Sequence, residues 1–128
     1  MRGETMNTKF YICEHCGNII TFTHDSGVPV SCCGEPMKEL IANTTEAATE
    51  KHIPVVTREG NKVTVFIGEA EHPMTEEHFI TWIALDTEDE LLLKRLKPNE
   101  APKAEFFVGE DKKFTAFAYC NLHKLWKF

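Results

Sequence analysis

From Lys51 onward the apolar positions of the chain fall into short β-type stretches separated by turn residues. Ile53 to Thr57 and Lys62 to Ile67 flank Arg58-Glu59-Gly60-Asn61, a hairpin signal. Phe79 to Leu85, Glu90 to Leu96, Ala104 to Val108 and Lys113 to Tyr119 are further predicted strands. In the last of these, Phe114, Ala116 and Ala118 share one face with Cys120, whereas Thr115, Phe117 and Tyr119 share the other. Short strands at this spacing predict an antiparallel sandwich. The amino-terminal third differs. Lys9 to Ile12 and Ile19 to Thr23 read as strands, with cysteine-bearing turns after the first and beyond Asp25-Ser26-Gly27. Ile41 to Thr49 is small and polar and lacks strand periodicity. The predicted organisation is therefore all-β: a tail over 1–8, a small unit over 9–40, a linker over 41–49 and a sandwich over 50–128.

Composition narrows the function classes. The 128 residues are 42% hydrophobic, with nine Phe, enough for a real core. Fourteen basic and twenty acidic side chains leave a net charge of −6, and no basic stripe offers itself to nucleic acid. The first eight residues lack the apolar stretch of a signal peptide, and no apolar run approaches the ~20 residues that span a bilayer. The expectation is a cytoplasmic, soluble protein. Five cysteines are an odd number for a disulfide framework, so they are read as reduced thiols that bind metal.

The cysteines and histidines form two sets. Cys13, Cys16, Cys32 and Cys33, at C-x2-C-x15-C-C spacing, predict a tetrahedral sulfur cage suited to iron or zinc. The glycine after Cys13-Glu14-His15-Cys16 lets backbone amides turn toward the sulfurs, and the adjacency of Cys32 and Cys33 should distort the cage. A unit this small needs such a staple. His15 and His24 are read as solvated surface residues. The second set is spread over strand ends: His52, then His72 and His78 around a Pro-containing loop, then Cys120 and His123. Taken singly, each of these histidines is best read as an ordinary surface or satisfied residue; the set suggests a metal site on one rim. A blue-copper site would call for a Met after the last His, and Lys124 to Phe128 contains none.

With these residues in place, Cys13-Glu14-His15-Cys16 and Cys32-Cys33-Gly34-Glu35-Pro36-Met37 resemble the desulforedoxin-like unit of desulfoferrodoxins. Glu50-Lys51-His52-Ile53-Pro54, His72-Pro73-Met74-Thr75-Glu76-Glu77-His78 and Cys120-Asn121-Leu122-His123 resemble the iron site of the superoxide reductase domain. The likeness spans about residues 9 to 128. It implies two irons per chain: a rubredoxin-like iron on Cys13, Cys16, Cys32 and Cys33, and a second with His52, His72, His78 and His123 in plane and Cys120 axial. It also implies an immunoglobulin-like sandwich, a homodimer, and rubredoxin or a similar protein as electron donor. The implied activity is one-electron reduction of superoxide to hydrogen peroxide, with Glu50 closing the sixth position of the oxidised iron and Lys51 drawing in the anion. Two rival classes stand beside it: an iron electron carrier without substrate turnover, and a zinc-stabilised sandwich used for protein contacts.

Overall fold

The protein is described from a computed structural model, over residues 8–45 and 51–128. Glu50 and the tail thus lie outside the described residues. The chain divides into two compact units, one of Asn7–Ile41 and a larger one that includes Ala42–Phe128.

In the small unit, β1 (Phe10–Ile12) is the centre strand, paired antiparallel with β2 (Ile19–Thr21) and β5 (Lys38–Glu39). Phe10, Ile12 and Cys13 are its buried residues. Between β1 and β2 the chain makes a knuckle: the Gly17 amide donates to Cys13 O at 2.8 Å, and the Cys13 amide donates to Asn18 O at 2.8 Å. Gly17 sits at φ 86°, a conformation that costs a side-chain-bearing residue energy. The sequence reading did not include the short strands β3 (Ser31–Cys32) and β4 (Glu35–Pro36) or their hairpin. The hairpin turn is Cys33-Gly34, with φ of 54° and 82°, the positive values that two-residue hairpin turns favour. The vicinal cysteines thus differ in kind: Cys32 ends a strand and Cys33 occupies the turn.

The larger unit is the expected sandwich. One sheet has the order β10-β7-β6, from β6 (Pro54–Glu59), β7 (Lys62–Ile67) and β10 (Lys103–Phe107). The other is β12-β11-β8-β9, from β8 (Ile80–Asp86), β9 (Leu91–Arg95), β11 (Thr115–Cys120) and β12 (Lys124–Lys127). All pairings are antiparallel. Alternation places Val63, Val65 and Ile67 of β7 and Ala104 and Phe106 of β10 in one core with Ile83, Leu85, Ala116, Ala118 and Cys120. At roughly 25 cal/mol per Å² of apolar surface, this shared layer is the main term holding the two sheets together. The β6–β7 turn is tighter than the four residues expected. Only Gly60 and Asn61 connect the strands, because Gly60 adopts φ 62°, and β6 therefore runs on through Arg58 and Glu59. β12 was not anticipated. Its outer edge is closed by Asn43: the Asn43 amide donates to Leu125 O (3.0 Å), its side-chain nitrogen donates to Lys127 O (3.2 Å), and its side-chain oxygen accepts from the Lys127 amide (2.9 Å).

Two features of this frame place chemistry at one end. Pro54 pairs with Ile67, Lys103 with Phe66 and Ile80 with Cys120, so the start of β6, the end of β7, the start of β8 and the end of β11 share a rim. The β11–β8 register also shifts: Tyr119 faces Trp82, but Cys120 faces Ile80. Thr81 is the extra residue of this bulge, so Ile80 rather than Thr81 faces the core beside Cys120, and the chain upstream reaches His78 from that side. Among the described residues, no helix is long and apolar enough to cross a membrane.

Candidate metal centres

The four amino-terminal sulfurs converge within 4.8 Å of one another. Cys16 Sγ lies 3.7 Å from Cys32 Sγ, and Cys32 Sγ lies 4.0 Å from Cys33 Sγ. A regular tetrahedron with metal–sulfur bonds of ~2.3 Å has edges of ~3.8 Å. The spacings match one four-coordinate ion, the vicinal pair being the wider. Protonation points the same way. The Cys16 amide, helped by that of His15 and opposed by burial, holds the Cys13 thiol down at about 6. Hydrogen bonding among the crowded thiols of Cys13, Cys16 and Cys32 pushes Cys33 up to about 12. Four thiolates this close need a cation to share the charge. His15 and His24 are exposed, and His15 pairs with Glu35 at 2.5 Å.

On the sandwich rim, donor atoms of His52, His72, His78 and Cys120 also lie within 4.8 Å of one another. His52 Nε2 is 3.2 Å from His72 Nε2 and 3.1 Å from His123 Nδ1, and Cys120 Sγ is 3.9 Å from His123 Nδ1. For metal–nitrogen bonds of ~2.1 Å, donors at neighbouring corners stand ~3.0 Å apart. The two His52 spacings fit that geometry. His72 is fixed in one tautomer: Nδ1–H donates to Pro73 O at 2.7 Å, leaving the Nε2 lone pair free to bind. His78 Nε2 is buried and has no hydrogen-bond partner, the kind of orphan that an ion satisfies. Desolvation holds His72 down at about 4, so it stays neutral at physiological pH. Burial, and then the charges of His123, His52 and Lys51, lower His78 in the same direction. Burial raises the Cys120 thiol, countered by hydrogen bonds from the amides of His123 and Leu122. Imidazole nitrogens with a single cysteine sulfur form a donor set for transition-metal ions, iron among them.

Local sequence explains why these side chains meet. His72 and His78 are carried by the β7–β8 loop, where a tight turn closes on itself: the Thr75 amide donates to His78 O at 3.0 Å, and the His78 amide donates to Thr75 Oγ1 at 3.1 Å. Met74 packs against the core, and its sulfur accepts from the Ile80 amide at 3.4 Å. Cys120 and His123 span the β11–β12 turn, which Lys124 closes at φ 69°. Two residues around the site were not singled out from the sequence. The Trp126 ring stacks on His52 with centroids 4.8 Å apart at 25°, and its Nε1–H donates to His123 O at 3.0 Å. Asn121 reaches across to the segment around His78. A Trp three residues after His123 is a visible signal for the first; nothing in the sequence marks the second. Lys51 is exposed, next to His52, and close enough for its charge to act on His78.

Comparison with known proteins matches this geometry. The Desulfoferrodoxin family model matches residues 44–128, and the model of the desulfoferrodoxin N-terminal domain matches residues 5–40. A desulfoferrodoxin homolog of Archaeoglobus fulgidus is 47% identical over 93% of this chain and 94% of its own. The crystal structure of the superoxide reductase from Treponema pallidum superposes with a TM-score of 0.77 at 34% identity, covering 94% of this chain and 98% of that one. A superoxide reductase (1Fe-SOR) from Giardia intestinalis covers 62% of this chain and 95% of its own, with a TM-score of 0.54 and 35% identity. With a four-cysteine cage and a histidine–cysteine rim site that fit two iron centres, the chain belongs to the desulfoferrodoxin family.

Proposed function

We propose that the protein is a superoxide reductase, in which superoxide, one electron and two protons give hydrogen peroxide at the rim of the sandwich. His52, His72, His78 and His123 hold the iron there through three Nε2 atoms and one Nδ1, with Cys120 as the sulfur ligand. Ferrous iron, when bound, supplies one electron per turnover, and an external donor such as rubredoxin restores it. Cys13, Cys16, Cys32 and Cys33 would hold the other, rubredoxin-like iron. The observation that carries the reading is the clustering of imidazole nitrogens at neighbouring-corner spacing beside a buried cysteine sulfur and the unpartnered His78 Nε2.

The chain's own residues then have distinct tasks. Desolvation keeps His72 neutral, and the amides of His123 and Leu122 point at the Cys120 sulfur and stabilise it as thiolate. Lys51 supplies local positive charge against the −6 of the whole molecule. Glu50 lies outside the described residues; on the family resemblance its carboxylate would be a further ligand of the oxidised iron. The reduced cysteines agree with a cytoplasmic location, and the family resemblance supports a homodimer.

Mixing the reduced protein with superoxide in a stopped-flow or pulse-radiolysis experiment tests the activity. One peroxide formed per iron oxidised, without evolution of dioxygen, is expected. Dioxygen released in step with peroxide would make the protein a dismutase instead. Ferrous protein left unoxidised would make it an electron carrier.

A further inference from the structure

His78 is the rim histidine whose ring is least held by its own hydrogen bonds. The His72 ring is locked by Pro73 O, and the His52 ring is stacked on Trp126. His78 Nε2 has no partner, so the aim of this ring depends on the backbone that carries it. That backbone is gripped on both sides by one residue of the Cys120–His123 turn. Asn121 Oδ1 accepts from the Phe79 amide at 3.0 Å, and Asn121 Nδ2 donates to Glu77 O at 3.0 Å. The Asn121 amide also donates to Phe79 O at 3.2 Å. The side-chain amide thus acts as one more peptide of the β11–β8 ladder, continued past the bulge where regular pairing stops.

We propose that Asn121 is the positioning residue of the rim site, setting the distance between the Cys120–His123 turn and His78 by clamping the peptides on either side of His78. The inference rests on the reading of the rim as an iron centre. Asparagine suits the task because its planar amide presents one acceptor and one donor, like a peptide. Asp keeps the acceptor but loses the donor and turns a carboxylate oxygen toward Glu77 O. Ala loses both. The Thr75 turn closes within the His78 loop itself and cannot set this distance, whereas Asn121 joins segments 42 residues apart.

The test compares the full-length wild type with Asn121→Ala, Asn121→Asp and, as a control, Arg58→Ala. Arg58 lies at the end of β6 away from the rim, so its loss perturbs the fold without touching the site. Asn121→Ala should weaken rim-site iron by about 10- to 100-fold in competition with a chelator, the usual effect of losing a residue that orients a ligand. It should also shift the cysteine-to-iron charge-transfer band, with absorption of the four-cysteine iron unchanged. Asn121→Asp should fall between the two. In the metal-free protein, hydrogen exchange at the Phe79 amide should quicken at least tenfold in Asn121→Ala. Wild-type affinity and band in Asn121→Ala would overturn the proposal. So would the same losses in Arg58→Ala at matched stability, since Asn121 would then be merely structural. If the wild type takes up no iron at the rim, the iron reading fails. The exchange measurement still decides the clamp: faster Phe79 exchange supports it, and unchanged exchange sinks it.

Discussion

Cys120 has no solvent exposure, burial alone would keep it protonated, and two backbone amides are aimed at its sulfur. The turn that supplies those amides also carries His123, so a single loop delivers a sulfur, amide hydrogen bonds that favour its ionised form, and an imidazole. Cys120→Ser is expected to abolish both the charge-transfer band and superoxide reduction, even in preparations that retain rim iron. An unchanged band would mean that the sulfur is not bound. The role proposed for Lys51 is instead one through space. The molecule's net charge of −6 repels an anionic substrate, but salt screens charges beyond ~8–10 Å, leaving the nearest ammonium dominant. Lys51→Ile should slow the second-order reaction with superoxide roughly tenfold, about 1.4 kcal/mol of barrier. It should also flatten the ionic-strength dependence, with the ferrous spectrum intact. A wild-type rate and salt dependence would remove Lys51 from the mechanism. At this scale the sequence was most informative, because thiols and imidazoles at family-like spacings advertise their chemistry. It was least informative at Asn121, whose importance comes from pairing with residues 77 and 79 and has no local signature.

Among elements, β7 and β10 were legible because their burial alternates with one face turned to the core, and β11, buried along its whole length, from an apolar run whose two-residue period sorts its faces. Ala116, Ala118 and Cys120 lie on the face of β11 assigned to them. β12 escaped notice for the converse reason: Leu125 and Trp126 are both buried although adjacent, so no alternation exists to be read. β3 to β5 are two residues each, too short to carry a period. The bulge at Thr81 arises from pairing, which sequence pattern does not display. Away from the rim, a clip joins three elements. The Arg58 guanidinium donates to Lys112 O at 2.8 Å and to Gly109 O, and lies 5.5 Å from the Phe114 ring. Lys112 in turn reaches Asp89 of the β8–β9 turn at 2.5 Å. Arg58→Ala should cost about 1 kcal/mol in chemical denaturation, the usual net worth of such bonds, with rim-site chemistry unaltered. The Asp89–Lys112 pair gives a pH signature. The Lys112 hydrogen bond depresses the Asp89 carboxyl, so the pair's contribution is present above the unfolded carboxylate value and is lost as pH falls through the lower folded value. Asp89 raises Lys112, so the contribution is also lost as pH climbs through that raised value. Lys112→Gln should flatten both limbs of a melting-temperature profile and leave the neutral plateau only slightly lower, because the pair is exposed. Limbs of wild-type steepness would show that the pair contributes nothing.

For the whole molecule, the separateness of the two ligand sets makes the last prediction. Every sulfur of the first cage lies between Cys13 and Cys33, inside the unit Asn7–Ile41, and every donor of the rim lies within the unit that includes Ala42–Phe128. The small unit has few buried apolar residues, and units of its size usually depend on a metal or cross-link for stability. The larger one has a core built from both sheets of its sandwich. Removing one cage ligand should therefore melt one unit and spare the other. Cys13→Ser is expected to lose the rubredoxin-like absorption and the slow amide exchange of β1, with the exchange of β8 and β11 unchanged. Its rim iron should still be oxidised by superoxide at a rate within about twofold of wild type, since no rim donor and neither Lys51 nor any other residue of the sandwich unit has changed. Steady-state turnover with an external donor is a separate measurement, because it also reads any electron delivery through the cage. A tenfold fall in the single-turnover rate, or faster exchange in β8 and β11, would show that the cage supports the rim as well as its own unit, contrary to the division of labour argued from the ligand sets.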